Sequence, residues 1–289
     1  MALDIPGLSD AELQRALKQL TSLPKHEQIE LDRMLVELEK VKSIEKSQDT
    51  FLDFVNHVYP GYKVGKHHAR LAKIFEDIAN GKKKRVIVNI APRHGKSELI
   101  SYLAPAWFLG KHPDKKVIMA SHTADLAVNF GRRVRNLVGS DPYKEIFPDV
   151  ELQSDSKSAS RWGTNYQGEY FAIGVGGALA GRGADLFIID DPHSEQDAKL
   201  GKPEVFLPAW EWFQSGPIQR LMPGGAIIVV MTRWSKLDLT GQIVNQMVKN
   251  DEVDDWEIVE FPAIIEDKHG EEKALWPEFW PLEELLSKK

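Results

Sequence analysis

An apolar run rich in β-branched residues, at positions 86–90, leads through a short turn into Gly95-Lys96-Ser97 and then into a stretch predicted as a helix. A strand, a Gly-Lys-Ser loop and a helix in this order form the context that a phosphate-binding loop requires. The backbone N–H groups of the loop and of the helix start would face the phosphates. Lys96 would reach the β- and γ-phosphates, and the Ser97 hydroxyl would bind Mg²⁺.

The loop departs from the usual pattern at one point. Its customary first glycine is replaced by Ile90, so the motif is a deviant Walker A loop. Gly-Lys-Ser is also common by chance, and an ordinary junction between a strand and a helix stays open as the alternative. If the motif binds a nucleotide, the residues of the loop that contact it are Ala91, Pro92, Arg93, His94, Gly95, Lys96, Ser97 and Glu98.

A second buried strand is predicted up to position 189, and it ends in two carboxylates, Asp190 and Asp191. Asp190 stands where a Walker B acid would hold Mg²⁺, directly or through water. Asp191 stands where a catalytic acid would orient and deprotonate water. Asp and Pro are also common in turns, so a strand followed by a turn is the alternative. Together, and in this order, the two motifs predict a P-loop ATPase with ATP and Mg²⁺ as its cofactors.

Composition excludes several other classes. The 289 residues include no cysteine, so disulfides and cysteine-based metal sites are ruled out. No apolar run approaches the ~20 residues of a membrane span, and the N-terminus lacks the basic start and apolar core of a signal peptide. We therefore expect no membrane association. The net charge of −6 argues against attraction of the whole surface to DNA, so any nucleic-acid contact must be local.

Apolar strands alternate with helices along most of the chain, which predicts an α/β fold with a mostly parallel sheet covered by helices on both faces. We expect three regions. Residues 1–50 form an N-terminal helical segment, residues 51–265 form the P-loop ATPase domain, and residues 266–289 form a C-terminal linker.

Two smaller features bear on the site. A strand predicted over residues 226–231 ends in Thr232 and Arg233, and polar residues at the tip of a central parallel strand lie near the ligand crevice. Either residue could sense the γ-phosphate, and Thr232 is counted among the nucleotide contacts. His67 and His68 invite a metal hypothesis, which we reject because neighbours on a helix point about 100° apart. Contact of one of them with the base stays open.

Four stretches carry a more specific likeness. They are residues 91–98, the glycine-rich run that ends at Gly181, residues 188–192, and residues 220–225 running into Met231-Thr232-Arg233-Trp234. In order and spacing across residues 51–265 they resemble the large terminase subunit of tailed bacteriophages, the motor that packs DNA into empty capsids. An arginine inside the P-loop and a strand ending in Thr-Arg-Trp are more specific than a generic Walker motif.

The resemblance implies a RecA-like ATPase that couples hydrolysis to movement of double-stranded DNA into a procapsid, in the host cell cytoplasm during virion assembly. It implies the portal protein, the procapsid and the small terminase subunit as partners. It also implies a homo-oligomeric ring on the portal, with a monomer in solution as the alternative. A ribonuclease-H-like nuclease usually follows the ATPase. We expect no nuclease here, because 28 residues after Phe261 are too few for that fold.

The resemblance also suggests roles for individual residues. Many members have Asp-Glu where this chain has Asp190-Asp191, so Glu195 is the second candidate for the base. Arg93, inside the loop, could stabilise the transferring phosphoryl group in cis. Arg132 and Arg133, on a helix predicted over residues 123–138, could do so from a neighbouring subunit, or could be solvated or contact DNA.

Two other functions stay open. A helicase-type ATPase would share the motifs, but such enzymes usually carry two RecA-like domains. A non-hydrolysing interaction module could keep the pocket for structure alone. Intact Lys96, Ser97, Asp190 and Asp191 argue against that module.

Overall fold

A computed structural model gives the structure of residues 24–200, 202–250 and 254–288. Two compact units divide after Lys46. Helix α1 (Lys25–Asp49) makes up most of the described part of the first unit. Residues 1–23 of the predicted N-terminal helical segment lie outside the described residues. The three regional boundaries stay predictions, and the following paragraphs concern the unit from residue 47 onward.

An eight-stranded sheet forms the centre of this unit, in the order β3-β4-β5-β2-β6-β7-β1-β8. Neighbouring strands pair in parallel along the part of the sheet ordered β5-β2-β6-β7-β1-β8. At the other edge, β4 pairs antiparallel with both β3 and β5. The predicted mostly parallel sheet is therefore confirmed. The strands are β1 (Arg85–Ile90), β2 (Lys116–Ser121), β3 (Leu152–Lys157), β4 (Arg161–Thr164), β5 (Glu169–Gly174), β6 (Ala184–Asp190), β7 (Leu221–Met231) and β8 (Glu257–Phe261).

Helices pack on both faces of the sheet. Successive side chains of a strand point to opposite faces, so Val86 and Val88 join one buried cluster while Ile87 joins the other. The first cluster includes α2 (Phe51–Val58), α3 (Lys66–Ala79), α4 (Ala104–Lys111), α5 (Ala124–Val138) and α6 (Asp141–Ile146). The second includes α8 (Leu207–Ser215) and α9 (Leu239–Lys249). This is the predicted α/β architecture, a mostly parallel sheet covered by helices on both faces.

The sheet order brings the two predicted motifs to one edge. Strand β7 lies between β1 and β6, and all three run in parallel. The loop after β1, the acids after β6 and Thr232 after β7 therefore meet at the carboxyl ends of adjacent strands. Ligands of open α/β sheets bind at this end. The short helix α7 (Glu195–Leu200) follows the acids.

The segment after β8 returns to the loop that follows β1. A hairpin of β9 (Ile264–Glu266) and β10 (Glu272–Ala274) leads to the short helix α10 (Leu282–Leu286). Trp276 in this segment is 6% exposed. The Trp280 indole N–H donates to the Arg93 carbonyl over 3.2 Å. Trp276 and Trp280 therefore lie against the start of α3 and the loop after β1, and the predicted linker over residues 266–289 stays a prediction.

Within the described residues, each helix is too short or too polar to cross a membrane.

Candidate active site

The loop from Ala91 to Ser97 folds back sharply between β1 and the next helical turn. Arg93 has φ 61° and Gly95 has φ 78°. A positive φ is uncommon outside glycine and carries a strain cost that usually marks functional positions. At Gly95 the constraint is also steric, because an added Cβ would lie 2.3 Å from His68 Nε2. Glycine is therefore required at this point of the loop.

The helix predicted after the loop begins as a π-helical turn (Glu98–Leu103) before α4 continues it. The backbone N–H of Ala104 reaches back five residues to the Leu99 carbonyl. Such π-turns are rare and recur at functional sites. Here the turn carries Ser101 inward, where its hydroxyl donates to Asp190 Oδ2 over 2.7 Å.

Asp190 is the buried acid of the site. It is 1% exposed, and its Oδ1 has no hydrogen-bond partner among the described residues. Burial, and then the negative charge of Asp191, raise the pKa of Asp190 from 3.8 to about 6. Lys96 and the hydroxyls of Ser97 and Ser101 oppose the rise. A buried carboxylate oxygen beside a serine hydroxyl is the donor set that Mg²⁺ prefers. The residues present therefore fit that metal.

Asp191 is the more accessible acid, and it is tied to both neighbouring strands. Its φ is 43°, a second left-handed position that is not glycine. Its Oδ2 lies 2.6 Å from Lys96 Nζ, and its Oδ1 accepts the Thr232 backbone N–H over 2.9 Å. The Thr232 hydroxyl in turn donates to the Ile90 carbonyl over 3.3 Å. One short network thus joins the ends of β1, β6 and β7.

A cleft of ≈ 700 Å³ opens over this network. Its volume is in the range of small-molecule sites. It contains most of the predicted site residues and also Trp234, which the sequence analysis did not assign. The cleft is lined by Pro92, Arg93, Gly95, Lys96, Ser97, Glu98, Asp191, Glu195, Thr232 and Trp234.

Glu195 and Arg133 have partners outside the network, and Arg132 is exposed. Glu195 lies at the cleft but is exposed, and the hydrogen bond from Lys199 lowers its pKa. Arg133 lies 2.5 Å from Glu98 and 4.0 Å from the centre of the Tyr102 ring, so it packs on its own P-loop helix. Arg132 is exposed. Whether either arginine acts on a neighbouring subunit stays a prediction.

Sequence reasoning missed the residues that support the loop from behind. Ser101 could have been found, because it follows Ser97 by four residues and so shares its helix face. Helix geometry places the Cα–Cβ bonds of His67 and His68 about 100° apart, which predicts that the two side chains do not meet. Their rings nevertheless lie 3.8 Å apart, and both Nε2 atoms reach the His94 carbonyl. The flexible side chains converge although their Cα–Cβ bonds do not. The described residues contain no group of three or more histidine, cysteine, aspartate or glutamate side chains that could hold a metal ion.

A pH titration of stability tests the environment of Asp190. Between pH 3.8 and about 6 the folded chain binds a proton more tightly than the unfolded chain, so the free energy of unfolding should fall as pH rises through this window. The full effect is on the order of 3 kcal/mol. Asp190→Asn should remove it. We expect the stability of the variant relative to the parent to rise from pH 4 to pH 7, measured by urea unfolding in chelator-treated buffer. If the free energies of unfolding of the two proteins change in parallel with pH, the raised pKa of Asp190 is contradicted.

Residues 87–202 match the family model described as the N-terminal part of the terminase large subunit, T4likevirus-type. The match includes the phosphate-binding loop and both acids, and it confirms the resemblance predicted from the sequence motifs. No curated protein sequence matches the chain.

Solved structures of large terminases are also similar to this chain, at low identity. The HK97 bacteriophage large terminase is 16% identical over 69% of this chain, with a TM-score of 0.46, and this chain covers 39% of it. A variant of the ATPase domain of the Thermus phage P74-26 large terminase is 16% identical over 75% of this chain, with a TM-score of 0.46 and 85% of that domain covered.

Proposed function

We propose that this chain is the ATPase motor domain of a viral terminase large subunit and couples ATP hydrolysis to translocation of double-stranded DNA into a procapsid. One observation carries the hydrolytic part. Lys96, Asp190, Asp191 and Thr232 converge at the ends of three adjacent parallel strands, beneath a cleft that the loop lines. The match of residues 87–202 supports the DNA-packaging part.

In this proposal the Lys96–Asp191 pair couples nucleotide binding to catalysis. Lys96 is 8% exposed and now contacts Asp191. A phosphate in the cleft competes for that ammonium group, which leaves Asp191 Oδ2 free to accept a proton from water. Asp191 Oδ1 stays on the Thr232 N–H, so the carboxylate keeps its orientation. Ser97 and Asp190 would hold Mg²⁺, which when bound neutralises charge on the phosphate oxygens.

In this proposal, Thr232 is the residue that most directly transmits a change at the nucleotide to the rest of the sheet. This residue bonds to Asp191 through its N–H and to the end of β1 through its hydroxyl. A change at the γ-phosphate would therefore alter the spacing between β1 and β7. Arg233, the other sensor candidate, donates to Asp238 at the start of α9 over 2.9 Å, which favours a structural part for it.

The proposed partners are double-stranded DNA, the portal protein, the procapsid and the small terminase subunit. We propose a homo-oligomeric ring on the portal, in the host cell cytoplasm. The experiment is ATP hydrolysis by the chain, with and without double-stranded DNA and portal. Stimulation by these components supports the packaging motor. Strand separation on a forked duplex would support a helicase instead.

We expect Arg93 to stabilise the reacting phosphate in cis, because it lies in the loop and lines the cleft. Arg93→Ala should slow hydrolysis about 10²-fold, less than the ~10³–10⁵ of an arginine finger, because the Arg93 side chain is exposed. Arg93→Lys, which keeps the charge, should retain part of the rate. Single-turnover hydrolysis measures both variants.

A mixing experiment distinguishes Arg93 acting within its own subunit from Arg132 or Arg133 acting on a neighbouring subunit. Subunits with Lys96→Ala are combined with subunits that carry both Arg132→Ala and Arg133→Ala, at concentrations where assembly is confirmed. With Arg93 acting in cis, the mixture should be no more active than its parts. Recovered activity would transfer the role to Arg132 or Arg133 of a neighbouring subunit.

A further inference from the structure

Three successive carbonyl groups of the loop accept hydrogen bonds from aromatic ring nitrogens. The Pro92 carbonyl lies 2.8 Å from His94 Nδ1, and the Arg93 carbonyl lies 3.2 Å from the Trp280 indole nitrogen. The His94 carbonyl lies 3.0 Å from Nε2 of both His67 and His68. A carbonyl can only accept, so each of these ring nitrogens carries a hydrogen. The donors come from the loop itself, from the start of α3 and from the C-terminal segment.

This arrangement fixes the direction of the loop N–H groups. In a planar trans peptide the C=O and the N–H point to opposite sides. Two imidazoles hold the His94 carbonyl on the α3 side, so the Gly95 N–H points away from α3. Gly95 also lines the cleft. Successive N–H groups that face one way form the concave nest that binds anions.

We propose that His67 and His68 are positioning residues, which act as a double clamp on the His94 carbonyl and hold the loop with its N–H groups toward the phosphates. The proposal rests on the proposed ATPase function for its ligand. Neither histidine touches the nucleotide in this proposal, and no proton is transferred.

The tautomer of His68 is set by its second contact. Its Nδ1 accepts the Gly65 backbone N–H over 3.0 Å, so the hydrogen lies on Nε2, where the clamp needs it. His67 Nδ1 is buried without a partner among the described residues, so protonating it would leave a buried charged donor unmatched. Burial lowers the pKa of both residues, to about 3 for His68. Both rings are therefore neutral at physiological pH.

Packing on each side leaves the pair little freedom. An added Cβ at Gly65 would lie 2.8 Å from both the His67 and the Trp276 rings, and one at Gly95 would lie 2.3 Å from His68. The Trp276 ring meets His68 edge to face at 4.7 Å. The other titratable groups that face the pair are His94, Tyr62 and Glu278.

The test compares variants that remove the donors with variants that keep them. The amide nitrogen of glutamine can stand in for histidine Nε2, whereas leucine has no donor. We expect the double variant His67→Leu, His68→Leu to bind Mg²⁺-ATP at least about tenfold more weakly. The double variant His67→Gln, His68→Gln should stay within about threefold of the parent. Equal affinity of the leucine variant and the parent, or equal loss in both variants, would overturn the clamp.

Trp280→Phe provides a second test if the leucine variant does not fold. It removes the donor to Arg93 and keeps an aromatic, though smaller, side chain at this half-buried position. Because it releases only one of the three held carbonyls, a two- to fivefold loss of Mg²⁺-ATP affinity is expected. An unchanged affinity would count against the proposal.

An observation without nucleotide separates this proposal from the ATPase assignment. Nitrogen NMR shifts of the imidazoles in the free chain should show His68 neutral from pH 5 to pH 8 and His67 neutral at pH 7, with hydrogen on Nε2 of both. If they do and the parent binds no Mg²⁺-ATP, the ATPase proposal fails while the clamp geometry holds. If either ring titrates near pH 6.5, or carries its hydrogen on Nδ1 alone, the clamp is wrong whatever the nucleotide result.

Discussion

Lys96→Ala should abolish measurable ATP hydrolysis while the domain stays folded. The ammonium group of Lys96 is the charge that the loop offers to phosphate, and removing one preorganised donor already costs ~10²–10³ in rate. In the absence of nucleotide its main partner is Asp191, whose side chain is partly exposed and can be solvated when the lysine is gone. Steady-state phosphate release and urea unfolding, measured on the same preparation, check both halves of the prediction.

The chain offers a matched control for this substitution. Lys115 pairs with Asp185 over 3.1 Å, just before β2 and near the start of β6, at the opposite end of the sheet from the cleft. Lys115→Ala should therefore leave hydrolysis within about twofold of the parent. If both alanine variants lose activity equally, the loss comes from removing a lysine–aspartate ion pair in general and not from the role of Lys96 in the loop. Parental turnover by Lys96→Ala would contradict the assignment of the loop.

The two acids should separate in a second experiment. Asp191→Asn should retain nucleotide affinity and slow the chemical step ~10²–10⁴-fold, because it removes the proton acceptor. It also releases Lys96 from its ion pair, so the affinity should be equal to or tighter than that of the parent. Asp190→Asn should instead weaken Mg²⁺-dependent binding, because it removes a buried charge from the metal site. Nucleotide titrations and single-turnover rates measure both effects.

Glu195→Gln is the control for the choice of base. Glu195 lies at the same cleft, but it is exposed and pairs with Lys199 one helical turn away. We expect this variant to hydrolyse ATP at close to the parental single-turnover rate. A slow Glu195→Gln variant together with a normal Asp191→Asn variant would show that the wrong acid was chosen.

Local sequence signals were enough to predict the fold and the meeting of the two motifs at one edge of the sheet. Strands β1, β2 and β6 are largely apolar, as expected for parallel strands buried on both faces, and each ends at a polar residue or a turn. Because parallel strands share one carboxyl edge, the sequence order alone brought the loop near Asp190 and Asp191. Thr232 followed from the same argument, and the structure joins it to Asp191.

The supporting contacts could not be predicted, because they depend on packing between distant segments. Trp280 meets Arg93 across 187 positions, and nothing in the local pattern around Trp280 indicates that contact. The convergence of His67 and His68 depends on side-chain torsions that helix geometry does not determine. Aspartate enters the left-handed region more readily than most residues, but the local sequence does not indicate that Asp191 does so.

The most direct test of the central claim is one single-turnover experiment, with the chain in excess over labelled ATP and with Mg²⁺ or a chelator. We predict that ATP is converted to ADP and phosphate only with Mg²⁺, that Lys96→Ala abolishes the conversion, and that Asp191→Asn binds ATP but converts it slowly. Absence of Mg²⁺-dependent binding by the parent, or equal conversion by the parent and Lys96→Ala, would contradict the assignment of the cleft as an ATPase site.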